Sequence, residues 1–140
     1  MLAELDWVQL SLDAGQRQRG DLLTAKVLEA MQHPAVRCLS HPKGRILNHR
    51  PPNALDLERV LGVARETGVA LEVNGLPDRL DLSAEDARLA VEAGVPLVCS
   101  TDAHSVRGLE NMRLSVATAR RAGATAADVL NTRPLAQVLV

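Results

Sequence analysis

The 140-residue chain predicts an α/β fold in which parallel strands carry helices on their outside and bring their ends together as at the mouth of a β/α barrel. Three observations predict it. Apolar, strand-like runs alternate four times with helix-like stretches, a pattern that builds parallel sheets. The polar residues that end the runs, Asp13, His41, Asn74 and Asp102, are 28, 33 and 28 residues apart, close to the ~30-residue length of a βαβ unit. Each stands at the carboxyl end of its strand, the edge where parallel α/β sheets bind ligands. A doubly wound sheet also fits the alternation. A barrel mouth fits better, because a closed sheet gathers its strand ends.

The elements follow in order. Residues 5–12, "LDWVQLSL", alternate and read as a strand. Residues 19–32 place Leu22, Leu23, Ala25, Val27, Leu28 and Met31 on or near one helical face, with Asp21 as the expected cap. "AVRCLS" (35–40) is a short strand, and 54–68 is a helix closed by Gly68. "VALEVNG" (69–75) is a strand. Residues 83–94 form a helix opened by Ser83, with Asp86 at capping-box spacing, and ended by Gly94. "VPLVCS" (95–100) is the fourth strand. A helix at 108–123 carries the stripe Leu109, Met112, Val116 and Ala119, and a short helix at 125–130 and a tail follow.

Composition narrows the functional classes. Apolar residues make up 46% and charged residues 24%, ordinary for a soluble globular domain. A net charge of −1 gives no overall field toward nucleic acid, so any such contact must be local. One Trp and no Phe or Tyr argue against recognition of single strands by base stacking. Cys38 and Cys99 lie in apolar runs and read as buried thiols in a reducing compartment. With no membrane-length apolar stretch and no signal peptide, the expected location is the cytoplasm.

The chemistry concentrates at the strand ends. "STDAH" puts Asp102 and His104 two residues apart, and an extended turn directs such a pair to one side. A carboxylate and an imidazole form the mixed O/N set that zinc, manganese or iron accepts. "LSHPKG" places His41 directly after a strand, and "LSLDAG" places Asp13 in the equivalent position one unit earlier. The expected metal ligands are Asp13, His41, Asp102 and His104, with His41, Asp102 and His104 the catalytic set. Singly, each has a plainer reading: Asp102 as a turn cap, His104 as a surface histidine, and His41 and Asp13 as turn residues. The loop 41–52 carries Lys43, Arg45, His49 and Arg50, and the next rim loop carries Asn74 and Arg79. These suit a phosphate or phosphodiester; a solvated loop, or pairing of Arg79 with Asp78 or Asp81, is the alternative. Glu72 faces the same side of its strand as Asn74 and is expected to support the site from below. His33 reads as structural.

"SHPKGRIL", "ALEVNGLPDRLDL", "STDAHS", "LENMRLSVATARRAG" and "DVLNTR" together resemble the second half of a PHP (polymerase and histidinol phosphatase) domain, most closely the carboxyl-terminal one of bacterial family X DNA polymerases. The resemblance covers about residues 5–135. It implies a distorted seven-stranded, TIM-like β/α barrel with up to three metals, usually zinc or manganese, and 3′–5′ exonuclease or related phosphoesterase activity on DNA in repair. By motif it carries over His41, Asp102 and His104 as ligands. The family's early motifs, a His-x-His strand end, a further His and a bridging Glu, would lie upstream of Met1. The whole of 1–140 is therefore expected to be the carboxyl-terminal portion of one PHP domain, completed by upstream residues that include the polymerase domains. Asp13 stands where the family usually has His. The expected partners are DNA and, through exposed sheet edges, a second copy. Two other readings stay open: a degenerate, non-catalytic PHP module that serves as scaffold or DNA contact, and a small-molecule phosphatase of the histidinol phosphatase type.

Overall fold

Four short strands, β1 (Val8–Leu10), β2 (Val36–Leu39), β3 (Ala70–Asn74) and β4 (Leu97–Ser100), lie side by side in chain order. Every neighbouring pair is parallel. The computed structural model describes residues 2–12 and 17–139; Asp13 lies outside the described residues. A doubly wound sheet reverses its strand order at a switch point. The order 1-2-3-4 has no reversal among the described residues and is consistent with a partial barrel.

Helices α1 (Gly20–Met31), α2 (Leu57–Thr67) and α3 (Ala84–Glu92) connect successive strands, and α4 (Met112–Arg121) follows β4. Their ends show why the chain stops them where it does. Ser83 accepts from the Asp86 amide at 3.1 Å, and Asp56 from the Arg59 amide at 3.2 Å, each satisfying an amide that the first turn leaves without a partner. Gly68 (φ 77°) and Gly94 (φ 72°) close α2 and α3 in the left-handed conformation that glycine adopts without a Cβ penalty.

Alternation along β3 separates two environments. Leu71 and Val73 face the helices and join Leu39, Leu97, Leu23, Val27, Met31, Val60 and Ala90 in the main core. Ala70 joins Cys38 and Leu130, with Trp7 and Val98 against them, in a smaller cluster. Glu72 and Asn74 stand on the Ala70 side, nearer the carboxyl ends, because side chains two apart share a face. Cys38 and Cys99 are free and buried, as expected. Burial pushes both thiols up, with Glu72's charge adding to the effect at Cys38 and a Ser115 hydrogen bond opposing it at Cys99.

Several local expectations need correction. Asp21 does not cap α1; Arg19 occupies the cap without a side-chain bond, and Asp21 pairs with Arg19 at 3.0 Å. The predicted helix 108–123 begins as a 3-10 turn, Val106–Asn111, before α4. Its apolar stripe is mostly in solvent: Leu109, Met112 and Val116 are exposed, and Ser115 and Ala119 are the buried positions. Leu22 of the α1 stripe is also exposed.

No helix forms at 125–130. Asp128 instead accepts from the amide and hydroxyl of Thr125, both at 2.8 Å, to make a turn, and a short 3-10 helix follows at Leu130–Thr132. The segment then completes the free edge of β4. Leu97 N–H donates to Asp128 O at 2.8 Å and Val129 bridges Leu97 in parallel. The Asn131 carboxamide accepts from Cys99 N–H at 2.8 Å and donates to Cys99 O at 3.0 Å, in place of a neighbouring strand. Among the described residues the outer edge of β1 has no such cover.

Candidate active site

Glu72 is the hub of the strand ends. Its carboxylate is 3% exposed, and it accepts from Gln9 Nε2 (2.9 Å), Ser40 Oγ (2.7 Å), the His41 amide (2.6 Å), Asn74 Nδ2 (3.3 Å) and Ser100 Oγ (2.6 Å). Every strand contributes a donor from itself or its exit. A buried carboxylate is stable only when its lone pairs are satisfied. One charge therefore locks four strand termini into a single mouth.

His41 and Asp102, two residues beyond β2 and β4, both take positive φ, 28° and 50°. His41 is buried, and its amide is one of the Glu72 donors. Beside it lies Asp81, fully buried, whose Oδ1 accepts from the Lys43 amide at 3.2 Å. Burial pushes the Asp81 carboxyl up, against the hydrogen bonds of the Lys43 and Gly44 amides and the charges of His41 and Arg45. Asp102 Oδ2 pairs with Arg79 Nε at 3.1 Å, so Arg79 chooses neither Asp78 nor Asp81. Asn74 is buried; its Oδ1 accepts from Leu76 N–H at 2.9 Å and starts the rim loop.

His104 is exposed, and its Nδ1 lies 2.8 Å from the Asp102 carbonyl. A carbonyl only accepts, so Nδ1 is the donor, and in the neutral imidazole the lone pair is then on Nε2. Metal-binding histidines are commonly oriented this way. Together with the Asp102 carboxylate, whose Oδ1 is 4.0 Å from Nδ1, this is a donor chemistry that suits a divalent cation. The fit stops at a pair: among the described residues no three His, Cys, Asp or Glu side chains converge as a metal shell. The structure thus brings Asp102 and His104 together at one loop and ties His41 to the same hub. It does not gather three ligands.

The basic loop is largely engaged with its own backbone. Lys43 Nζ donates to Leu55 O at 2.9 Å, Arg50 Nε to Gly44 O at 2.8 Å, and Arg45 to the carbonyls of Arg79 and Leu80. His49 is exposed at the loop tip. Sequence reasoning passed over Gln9, Ser40 and Ser100, and read Asp81 only as a rim-loop acid that could pair with Arg79. For the first three the signal was present in the period-two alternation, which puts polar residues on the Glu72 side of each strand end.

No family model matches the chain. A DNA polymerase/3′-5′ exonuclease PolX from Bacillus subtilis (strain 168) is 36% identical over 138 residues, covering 99% of this chain and 24% of the relative. A protein named probable phosphatase from Shewanella amazonensis (strain ATCC BAA-1098 / SB2B) is 28% identical over 143 residues, covering 96% of this chain and 55% of the relative. The chain spans about a quarter of the first and about half of the second. It is homologous, over nearly its whole length, to part of a protein named DNA polymerase/3′-5′ exonuclease and to part of one named probable phosphatase.

Proposed function

We propose that the chain is the carboxyl-terminal portion of a PHP-type barrel and supplies the mouth of a metal-dependent phosphoesterase, of the 3′–5′ exonuclease kind, acting on DNA in repair. The observation that carries this reading is the Glu72 hub, which ties the ends of all four strands together beside the His41 and Asp102 exits. Asp102 and His104 Nε2 are the groups that would hold a manganese or zinc ion, with His41 and Asp13 the further candidates. A bound ion would lower the pKa of a coordinated water to ~7 and supply hydroxide. Glu72 holds the His41 exit in place, and the Asp102 carbonyl sets the His104 tautomer. Of the candidate phosphate contacts, His49 is open at the rim; Lys43, Arg45, Arg50 and Arg79 would offer only the donors left over from their bonds within the chain, and Asn74 orders the rim through Glu72 and Leu76. In this reading polymerase domains of a longer chain are the partners, and the cytoplasm is the location. No described helix is long and apolar enough to cross a membrane.

The test is hydrolysis of a 3′-labelled single-stranded oligonucleotide with manganese, beside the Asp102→Asn and His104→Ala proteins. The reading expects manganese-dependent release of mononucleotides that falls at least about 100-fold in either variant. Activity that persists in chelator, or is undiminished in either variant, overturns it.

The Arg79–Asp102 pair favours a second reading, a non-catalytic module that contacts DNA, because the strongest candidate ligand already has a cation. Under it, DNA binds but no hydrolysis occurs at any metal concentration. The phosphatase relative supports a small-molecule phosphatase. Preference for a phosphomonoester over the oligonucleotide would identify that case.

A further inference from the structure

Resting on that reading, we propose that a hollow of about 420 Å³ beside His104 is the path of the single strand, with Arg107 and Arg113 holding its phosphates. The volume lies within the roughly 300–1,000 Å³ range of ligand pockets. Leu76 and Ala103 give it an apolar floor, and Glu110 is the acid on its rim. Two arginines against one carboxylate leave the rim positive on a chain whose net charge is −1.

Two glycines build it. A Cβ on Gly108 would lie 3.1 Å from Ala103 Cβ and 3.2 Å from its Cα. The 3-10 turn therefore folds flat onto the loop that bears Asp102 and His104, carrying Arg107 with it. A Cβ on Gly75 would lie 2.5 Å from Asn111 O and 2.9 Å from Ser100 O. The start of α4, with Arg113, is thus seated directly on the ends of β3 and β4.

These two differ from the other arginines at the mouth in being unengaged. Arg45, Arg50 and Arg79 each spend donors on a carbonyl or carboxylate. Arg107 and Arg113 make no hydrogen bond or ion pair among the described residues. Free guanidinium groups at the lip of the mouth suit the bidentate capture of phosphate oxygens. With no Phe, Tyr or Trp in the hollow, contact runs mainly through the backbone and is indifferent to base sequence.

Fluorescence anisotropy of a labelled ten-nucleotide oligothymidine, in EDTA across a sodium chloride series, tests this. Arg107→Gln with Arg113→Gln should weaken binding at least about tenfold at low salt and reduce the log–log salt slope by about 1.4, at ~0.7 for each lost single-strand phosphate contact. Arg59→Gln with Arg65→Gln, the same charge change on α2, should leave both within about twofold. Equal weakening in the two double variants, or an unchanged slope in the first, overturns the proposal. The two readings fail separately: binding that depends on Arg107 and Arg113 in a protein that never hydrolyses DNA removes the catalytic reading and keeps this one. Hydrolysis with binding indifferent to both arginines does the opposite.

Discussion

Arg79 Nε stands 3.1 Å from Asp102 Oδ2, with only 18% and 23% of the two side chains exposed. The acid most suited to a cation is thus neutralised by the chain's own guanidinium. Breaking a mostly buried pair strands the remaining charge. Arg79→Gln should cost about 1–3 kcal/mol in urea denaturation, and Asp102→Asn should recover part of that loss in the double variant. Strictly additive losses would show that the two side chains do not interact.

Glu72 accepts from five donors. Glu72→Gln keeps the shape but turns one acceptor into a donor facing donors. A buried network half satisfied is worse than none, and the loss should be about 3 kcal/mol or more. Thermal unfolding measures it; a variant as stable as the parent would mean that the strand ends are held by something else.

Gly75→Ala should destabilise by about 3 kcal/mol, since its Cβ would strike backbone atoms of Asn111, Ser100 and Ser115 that have no rotamer to yield. Gly62→Ala, where a Cβ meets nothing within 4 Å, is the matched comparison. It should be neutral or slightly stabilising, because alanine is the better helix former.

Asp128 titrates below its ordinary value of 3.8, held down first by the Thr125 amide and then by its hydroxyl. A depressed folded value means the stabilisation is present above the unfolded pKa and is lost as pH falls through the folded one. Urea midpoints of the parent should decline more steeply than those of Asp128→Asn between about pH 4 and pH 2. Parallel curves would remove the turn from the acid-sensitive set.

The sheet was legible because its signals are local. Period-two runs, Ser83 as a cap, and Gly68 and Gly94 as left-handed stops need no knowledge of distant residues, and each stands in the structure. The errors occurred where tertiary contacts override pattern. Ser115 is buried because its hydroxyl reaches Val73 O, which turns α4 so that Met112 and Val116 face solvent; Leu109 lies in the 3-10 turn before it. The segment 125–130 was helical by composition, but it abandons that state to pair with the edge of β4. At the site, His41 and Asp102 could be placed at strand exits from spacing alone. The choice of Arg79 for Asp102, and the engagement of the basic loop with its own carbonyls, depend on how two loops fold together, which no residue spacing encodes.

The most direct measurement of the central claim is manganese-induced broadening of backbone amide signals in a nitrogen-15 labelled sample. At substoichiometric manganese the account predicts that residues around His41, Glu72, Asp102 and His104 broaden first and together, and that His104→Ala abolishes the effect. Broadening scattered over exposed acids such as Asp21 and Glu58, or none at all, would contradict it.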